Sequence, residues 1–367
     1  MSRLKLIRAA TVPTSLNIFC RGMLRELSQT YEVIALSSYG KELDQIAERE
    51  EVRTIGVNME RRISPYKDLA SLIRLVRVFR KEKPDIVHSM TPKAGLLCMI
   101  AAWLTRVPLR IHTFTGLVFP TATGIKRHIL MWTDKITCAC ATHIIPEGEG
   151  VKNDLVNFGI TSKPIRVLGY GNVRGVDLDY FVPQHIPHND FRFLYIGRIV
   201  RDKGINELVQ AFVQLPDEAQ LWLVGDIEPS DPVDAQTMQT IQQHPRIKLY
   251  ESTEDVRPYY NQADCLVLPS YREGFPNVVL EAGAMQLPCL VTDINGSREI
   301  ITNHINGLIV PSKDAEQLRL AMQYLLSHPQ EAQAMGLSAR PVIEQKFEQS
   351  FVRQCLYNYY KEIIHAV

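Results

Sequence analysis

The run Cys265-Leu-Val-Leu-Pro-Ser-Tyr271-Arg272-Glu273-Gly274-Phe275-Pro276-Asn277-Val278-Val279-Leu280-Glu281-Ala282 passes from four apolar residues, through a polar turn, into a second apolar stretch. The first four residues, closed by Pro269, read as a buried strand. Pro276 fits the first turn of a helix running on through Met285. A strand leading straight into a helix is half of a crossover unit, the building block of a parallel sheet covered on both faces. The opening amides of that helix lack intrahelical partners and carry the positive end of its dipole, so the turn should hold an anion. Glu273 precedes the helix and Glu281 lies about five residues into it, roughly 7–8 Å along the axis. The two carboxylates should flank the anion site.

Working outward, the same alternation recurs. In the second half, strand-like runs fall at 191–196, 220–224, 247–250, 265–268, 289–292 and 308–310. In the first half they fall at 4–10, 31–37, 52–57, 85–90, 109–115, 143–146 and 165–168. Near Gly169–His188 periodicity is lost among Gly169, Gly171, Gly175 and Pro183, which marks a connection. Two such modules predict an α/β protein with two Rossmann-like domains facing a cleft, its ligands beyond the carboxyl ends of the strands. No Gly-x-Gly-x-x-Gly follows the first strand, where Thr11-Val-Pro-Thr-Ser-Leu-Asn stands instead, which argues against a dinucleotide redox cofactor.

Two further loops are chemically loaded. Gly197-Arg198-Ile-Val-Arg201-Asp202-Lys203-Gly204 follows a strand and leads into a helix with core positions Ile205, Leu208 and Phe212. Glycine lets the backbone approach a ligand closely, and cations at that place suit a diphosphate. Asp293-Ile-Asn295-Gly296-Ser297-Arg298-Glu299 opens a helical turn after another strand and could contact nucleotide or sugar. In isolation either would be an ordinary charged surface loop.

At 367 residues, 46% hydrophobic and 22% charged, the chain has the length of two domains and an ordinary globular composition. Its longest strongly apolar stretch, Ala94 to Thr105, is bounded by Lys93 and Arg106 and is too short for the ~20 residues that cross a bilayer. The N-terminus mixes charge with apolarity and reads as a first strand of a cytoplasmic protein. Seven scattered cysteines with no Cys-x-x-Cys argue for buried thiols. The net charge of +1 conceals +11 on residues 1–175 and −10 on residues 176–367. A basic half suits an anionic partner such as a phospholipid surface. Before Pro84, Leu69, Leu72, Ile73, Val76 and Phe79 follow helical spacing as a buried stripe, which leaves Arg74, Arg77, Arg80 and Lys81 on the other face. With Arg61, Arg62 and Lys67, the segment Arg61–Lys83 is suited to anionic headgroups, although such a face is commonly only solvated.

At these residues the sequence resembles the retaining glycosyltransferases of family 4, which have the two-Rossmann GT-B fold. The matching pieces are 197–204, the Glu273-x7-Glu281 pair, and Asn306-Gly-Leu-Ile-Val. Lys93-Ala-Gly-Leu-Leu, Arg110-Ile-His-Thr-Phe-Thr-Gly116 and Arg166 to Leu178 look like the branch that assembles capsule, O-antigen and lipid-linked saccharides. The resemblance implies that residues 1–172 bind acceptor and 191–345 bind nucleotide sugar. Residues 173–190 would link the two, and a final helix at 346–367 would pack back toward the first domain. It implies that Arg198 and Lys203 neutralise the donor diphosphate, helped by Gly197, Gly274 and the backbone from Phe275 through Pro276, Asn277 and Val278 to Val279. Glu281 would hold the ribose, and Glu273 would contact the donor sugar. The implied partners are a nucleotide-sugar donor, commonly a UDP-sugar, and a saccharide or polyprenyl-diphosphate-linked acceptor, with an anionic membrane surface and no nucleic acid. Transfer would retain anomeric configuration without a protein nucleophile.

Where many relatives carry His before the glycine of the first-half segment, this chain has Thr115-Gly116, with His112 three residues earlier, so His112, Thr115 and Gly116 are the acceptor-side candidates. Asp177-Leu178-Asp179 matches the Asp-x-Asp metal motif of the other glycosyltransferase fold, but it falls in the connection, and no metal or other cofactor is expected. A nucleotide-sugar 2-epimerase on the same fold and a non-catalytic nucleotide-sugar-binding scaffold are the alternatives.

Overall fold

The structure is a computed structural model that describes residues 3–60, 64–229 and 231–366. It divides into two compact units, one running to Arg174 and including the chain from Val352 onward, the other spanning Gly175–Phe351.

The first unit holds a six-stranded parallel sheet of β1 (Lys5–Ala9), β2 (Glu32–Ser37), β3 (Arg53–Gly56), β4 (Ile86–Met90), β5 (Leu109–Phe114) and β6 (His143–Pro146). Their order is β3-β2-β1-β4-β5-β6. The second unit repeats the plan with β7 (Phe191–Ile196), β8 (Ala219–Val224), β9 (Ile247–Tyr250), β10 (Cys265–Leu268), β11 (Cys289–Thr292) and β12 (Gly307–Val310), in the order β12-β11-β10-β7-β8-β9. Each sheet is thus doubly wound, with its first strand central and its chain switching direction there. That switch opens room for a ligand at the carboxyl ends. Strands such as Cys-Leu-Val-Leu and Cys-Leu-Val-Thr are buried along their whole length because helices cover both sides.

Three expectations need correction. The run 165–168 is not a strand: only Ile165 bridges, to Ile144, before the chain turns at Gly169 and Gly171. In the helix Pro65–Glu82 the buried positions are Ser71, Leu75 and Phe79, with Leu72 and Val76 half-buried. Leu69 and Ile73 are exposed instead. The helix has more apolar residues than one face can hold, so two phases fit the spacing. The phase adopted tolerates Ser71 because its hydroxyl donates to the Lys67 carbonyl at 2.8 Å. Arg61 and Arg62 lie outside the described residues. Finally, Val176 and Phe181, from the stretch read as a connection, are buried in the core of the second unit.

Candidate functional site

In the second unit, the carboxyl ends of β7, β10 and β11 stand side by side, and the loops that follow them touch. Gly204 ends the short helical turn Arg201–Lys203 with φ 72°, and any side chain there would run into the Pro269 carbonyl after β10. Gly296, at φ 75°, brings the loop after β11 against the Gly274 carbonyl and the Phe275 backbone just as tightly. Both approaches require glycine, because an L side chain disfavours this conformation and no space is left for a Cβ.

These contacts assemble the charged groups. Lys203 forms an ion pair with Glu273, both largely shielded from solvent. Arg272 pairs with Asp202 at 3.1 Å, and the Tyr271 amide donates to the Asp202 carbonyl at 2.9 Å. The Gly197–Gly204 loop and the turn before helix Asn277–Ala284 are therefore one electrostatic cluster. Arg198 pairs with Glu228 in the loop after β8, and Arg201 approaches Asp231 at 3.6 Å. Behind Arg198, the buried Tyr195 hydroxyl donates to its carbonyl oxygen at 2.7 Å. Burial pushes that phenol well above its ordinary pKa, with the Glu273 charge adding to the effect, so it stays protonated.

Helix Asn277–Ala284 begins directly after Pro276. Gly274, Phe275 and Pro276 are buried, and Phe275 packs on Phe347 with ring centroids 5.3 Å apart, which fixes where the helix opens. The Val279 amide already donates to the Pro276 carbonyl at 3.1 Å, and its side chain is core. Asn277 and Val278, half-buried, form the outward edge of the first turn. Glu281 is buried on this helix and accepts a hydrogen bond from the Tyr260 hydroxyl at 3.1 Å. The hydroxyl of Tyr260 thereby fixes the orientation of this buried carboxyl group.

Glu228, Asp231 and Tyr260 did not emerge from the sequence. Glu228 and Asp231 lie in an irregular loop whose one signal is Gly225-Asp226 directly after β8, and Tyr260 reaches Glu281 from a separate short helix. The acceptor-side candidates lie in the first unit. His112 is only 1% exposed, its Nδ1 at 2.9 Å from Ser89 Oγ, and its ring presses on Gly95, where a Cβ would overlap it. Burial lowers its pKa to about 3, so the ring is neutral. Thr115 and Gly116, half-buried, follow the end of β5. Asp177 accepts the amides of Asp179 and Tyr180 at 3.1 and 3.0 Å, which is the work of a turn residue. Among the described residues no three His, Cys, Asp or Glu side chains are grouped as a metal site.

Comparison with known proteins identifies the family and the fold. Residues 17–171 match the family model for the glycosyl transferase 4-like domain, and residues 178–341 match that for glycosyl transferases group 1. The capsular polysaccharide biosynthesis glycosyltransferase CapM of Staphylococcus aureus is 32% identical across 99% of this chain and 98% of its own. The UDP-Gal:alpha-D-GlcNAc-diphosphoundecaprenol alpha-1,3-galactosyltransferase of Escherichia coli is 29% identical over 70% of each chain. In fold, Anabaena HepE in complex with UDP-glucose superposes with a TM-score of 0.81, covering 98% of this chain and all of its own at 15% identity. Sucrose-phosphate synthase from Thermosynechococcus elongatus gives 0.82 over both full chains at 21% identity. With both halves of the chain matched and a full-length relative above 30% identity, this protein belongs to the group 1, family 4-like glycosyltransferases of GT-B fold and is a sugar-transferring enzyme.

Proposed function

We propose that the protein transfers a sugar from a UDP-sugar to a saccharide carried on polyprenyl diphosphate, with retention of anomeric configuration, during surface polysaccharide assembly. The observation that carries this reading is the joining of Arg198, Lys203 and Glu273 with the opening of helix Asn277–Ala284 on adjacent strand ends. The donor diphosphate would take the place of carboxylates on the two cations, Glu228 on Arg198 and Glu273 on Lys203. Lys203 passing to phosphate would release Glu273 toward the donor sugar, while Glu281, held by Tyr260, accepts hydrogen bonds from the ribose hydroxyls. As the sugar–phosphate bond breaks, negative charge grows on the departing diphosphate. Fixed cations and backbone dipoles stabilise that charge without reorganising. The acceptor hydroxyl attacks on the leaving-group face, and a donor phosphate oxygen takes its proton. Cations suffice for this role, so activity should survive chelation of divalent metals.

Support for the acceptor class comes from relatives whose names specify diphosphoundecaprenol-linked sugars. A lipid-linked acceptor places the enzyme at an anionic membrane surface. Arg74, Arg77, Arg80 and Lys81 are all exposed on helix Pro65–Glu82, whose two acids are engaged elsewhere, Asp68 with Lys93 and Glu82 with Arg53. The deciding experiment incubates the enzyme with a panel of UDP-sugars, with and without a polyprenyl-diphosphate saccharide in detergent, and identifies the product by mass and anomeric coupling. Transfer only in the presence of acceptor supports the reading. Consumption of donor to an epimer with no acceptor present refutes it.

A further inference from the structure

On one face of the first sheet the helices Pro65–Glu82, Pro92–Leu104 and Gly124–Cys140 lie side by side over a shared core. The outer surface of this layer is unusually apolar. On helix Gly124–Cys140, Ile125, Ile129 and Trp132 are 80%, 44% and 66% exposed, and their spacing of four and then three residues puts them in one line. Next to it, Trp103 and Leu104 stand 55% and 48% exposed at the end of helix Pro92–Leu104. Tyr66, Leu69 and Ile73 line the outside of helix Pro65–Glu82. Leu69 and Ile73 of this last row are residues that simple periodicity assigned to the core. Single exposed apolar residues are ordinary, but three rows on three neighbouring helices are not.

The charge between the rows is of one sign. Lys126 and Lys135 are exposed on helix Gly124–Cys140, while its only acid, Asp134, is half-buried. Arg127 on the same helix is drawn aside over the Phe158 ring, 5.3 Å from its centroid. Cations interleaved with Trp, Tyr, Ile and Leu match the two layers of a bilayer surface, anionic headgroups above and acyl chains below. A second copy of this chain would bring cations against cations.

We infer that helix Gly124–Cys140 is the insertion element of this protein, lying in the plane of an anionic bilayer with Ile125, Ile129 and Trp132 below the headgroups and Trp103 beside them. The inference rests on the proposed lipid-linked acceptor and adds how the enzyme holds to the membrane that carries it. It separates two components of binding. The cations of helix Pro65–Glu82 supply the part that salt screens, and the apolar rows supply the part that salt leaves.

The test uses the full-length enzyme with vesicles of phosphatidylglycerol and phosphatidylethanolamine in which one acyl chain is brominated near the headgroup. Tryptophan emission should be quenched on binding. Trp132→Phe should remove most of the quenching and Trp103→Phe much of the rest, since Trp222 is buried in the other unit. The variant Ile125→Ser/Ile129→Ser/Trp132→Ser removes only exposed groups. It should lose at least 10-fold in vesicle partitioning at 0.5 M salt while keeping its sedimentation behaviour and its activity on a short water-soluble acceptor analogue. Quenching that is absent, or unchanged by Trp132→Phe, overturns the inference. So does a dimer in sedimentation that the Ser variant dissociates, since the rows would then face a second copy. Failure of sugar transfer with every acceptor would defeat the proposed function while leaving the quenching result to decide the insertion element.

Discussion

The two sheets share one strand order but keep their polar groups in different places. In the first, Arg8, His88, Ser89, His112 and Thr113 are buried within the strands themselves. Among the described residues Arg8 pairs with no carboxylate; its guanidinium donates to the Tyr360 hydroxyl at 2.9 Å and contacts His88, whose Nε2 lies 2.7 Å from Thr113 Oγ1. These bonds stitch β1, β4 and β5 to the helix Gln349–His365. In the second sheet no charged residue is buried within a strand among the described residues, and Arg198, Lys203 and Glu273 gather in the loops beyond the carboxyl ends. One architecture therefore spends its buried polarity on holding a helix, and the other concentrates charge at the rim where a phosphate can reach it.

The sharpest way to break this contrast is Lys203→Ala. If Lys203 meets charge that grows as the diphosphate departs, turnover should fall ~10²-fold or more, about 2.7 kcal/mol, with a smaller change in donor affinity. Steady-state kinetics alongside calorimetric UDP titration separate the two. Equal losses in both would reduce Lys203 to ordinary ground-state binding, and near-normal turnover would remove it from the mechanism.

Next in size is the acid response of the first sheet. His112 has a folded pKa of about 3 against ~6.5 when unfolded, and burial also holds His88 well below its ordinary value. Between those values the unfolded chain binds a proton that the folded chain does not. Stability should therefore rise with pH up to about 6.5 and fall as pH drops toward 3, by up to ~1.4 kcal/mol per pH unit for each such histidine. Urea midpoints from pH 4.5 to 7.5 should show a shallower slope in His112→Gln than in the parent. An unchanged slope would mean that the His112 ring is not the group that resists protonation.

What the sequence revealed follows the same division. In the second unit β7, β9, β10 and β11 fall at the residues expected, because short apolar or alternating runs of β-prone residues between polar or turn-forming stretches have one reading. The Gly197–Gly204 loop and the Glu273 turn were legible because their glycines, cations and prolines sit at fixed offsets from a strand. Glu228 and Tyr260 were not, since each meets its partner across 30 and 21 residues and only the folded sheet brings them together. Arg8 was hidden for a different reason: a basic residue inside a terminal strand looks like an exposed edge until a distant helix covers it. Periodicity failed on helix Pro65–Glu82 because it reports that an apolar face exists, and not which of two faces the sheet accepts.

A smaller effect tests how far Tyr260 supports the rim. Tyr260→Phe keeps the ring in the core but removes the hydroxyl that donates to Glu281. The loss of this hydrogen bond should raise the donor KM by roughly 3- to 10-fold, about 0.7–1.4 kcal/mol, with kcat little changed. A fall in kcat with KM intact would move Tyr260 from donor binding to the chemical step.

The smallest effect returns to the first unit and has the opposite pH sign. Burial raises the Asp134 carboxyl to about 7, against ~3.9 in an unfolded chain. Between those values the folded protein holds a proton that the unfolded chain has released. Its contribution to stability is thus fully present below ~3.9 and declines as pH rises through about 7. Asp134→Asn cannot ionise, so it should match the parent near pH 4 and exceed it at pH 8 by about 1 kcal/mol, the scale on which half-buried polar groups act. Because Asp134 lies on the helix that carries Ile129 and Trp132, the variant also leaves that surface with no acid on its helix. Vesicle binding at pH 8 should strengthen slightly while the urea midpoint rises. A variant less stable than the parent at pH 8 would show that the Asp134 carboxylate is satisfied in its ionised form, and the acid-sensitive and base-sensitive groups of the first unit would no longer oppose each other.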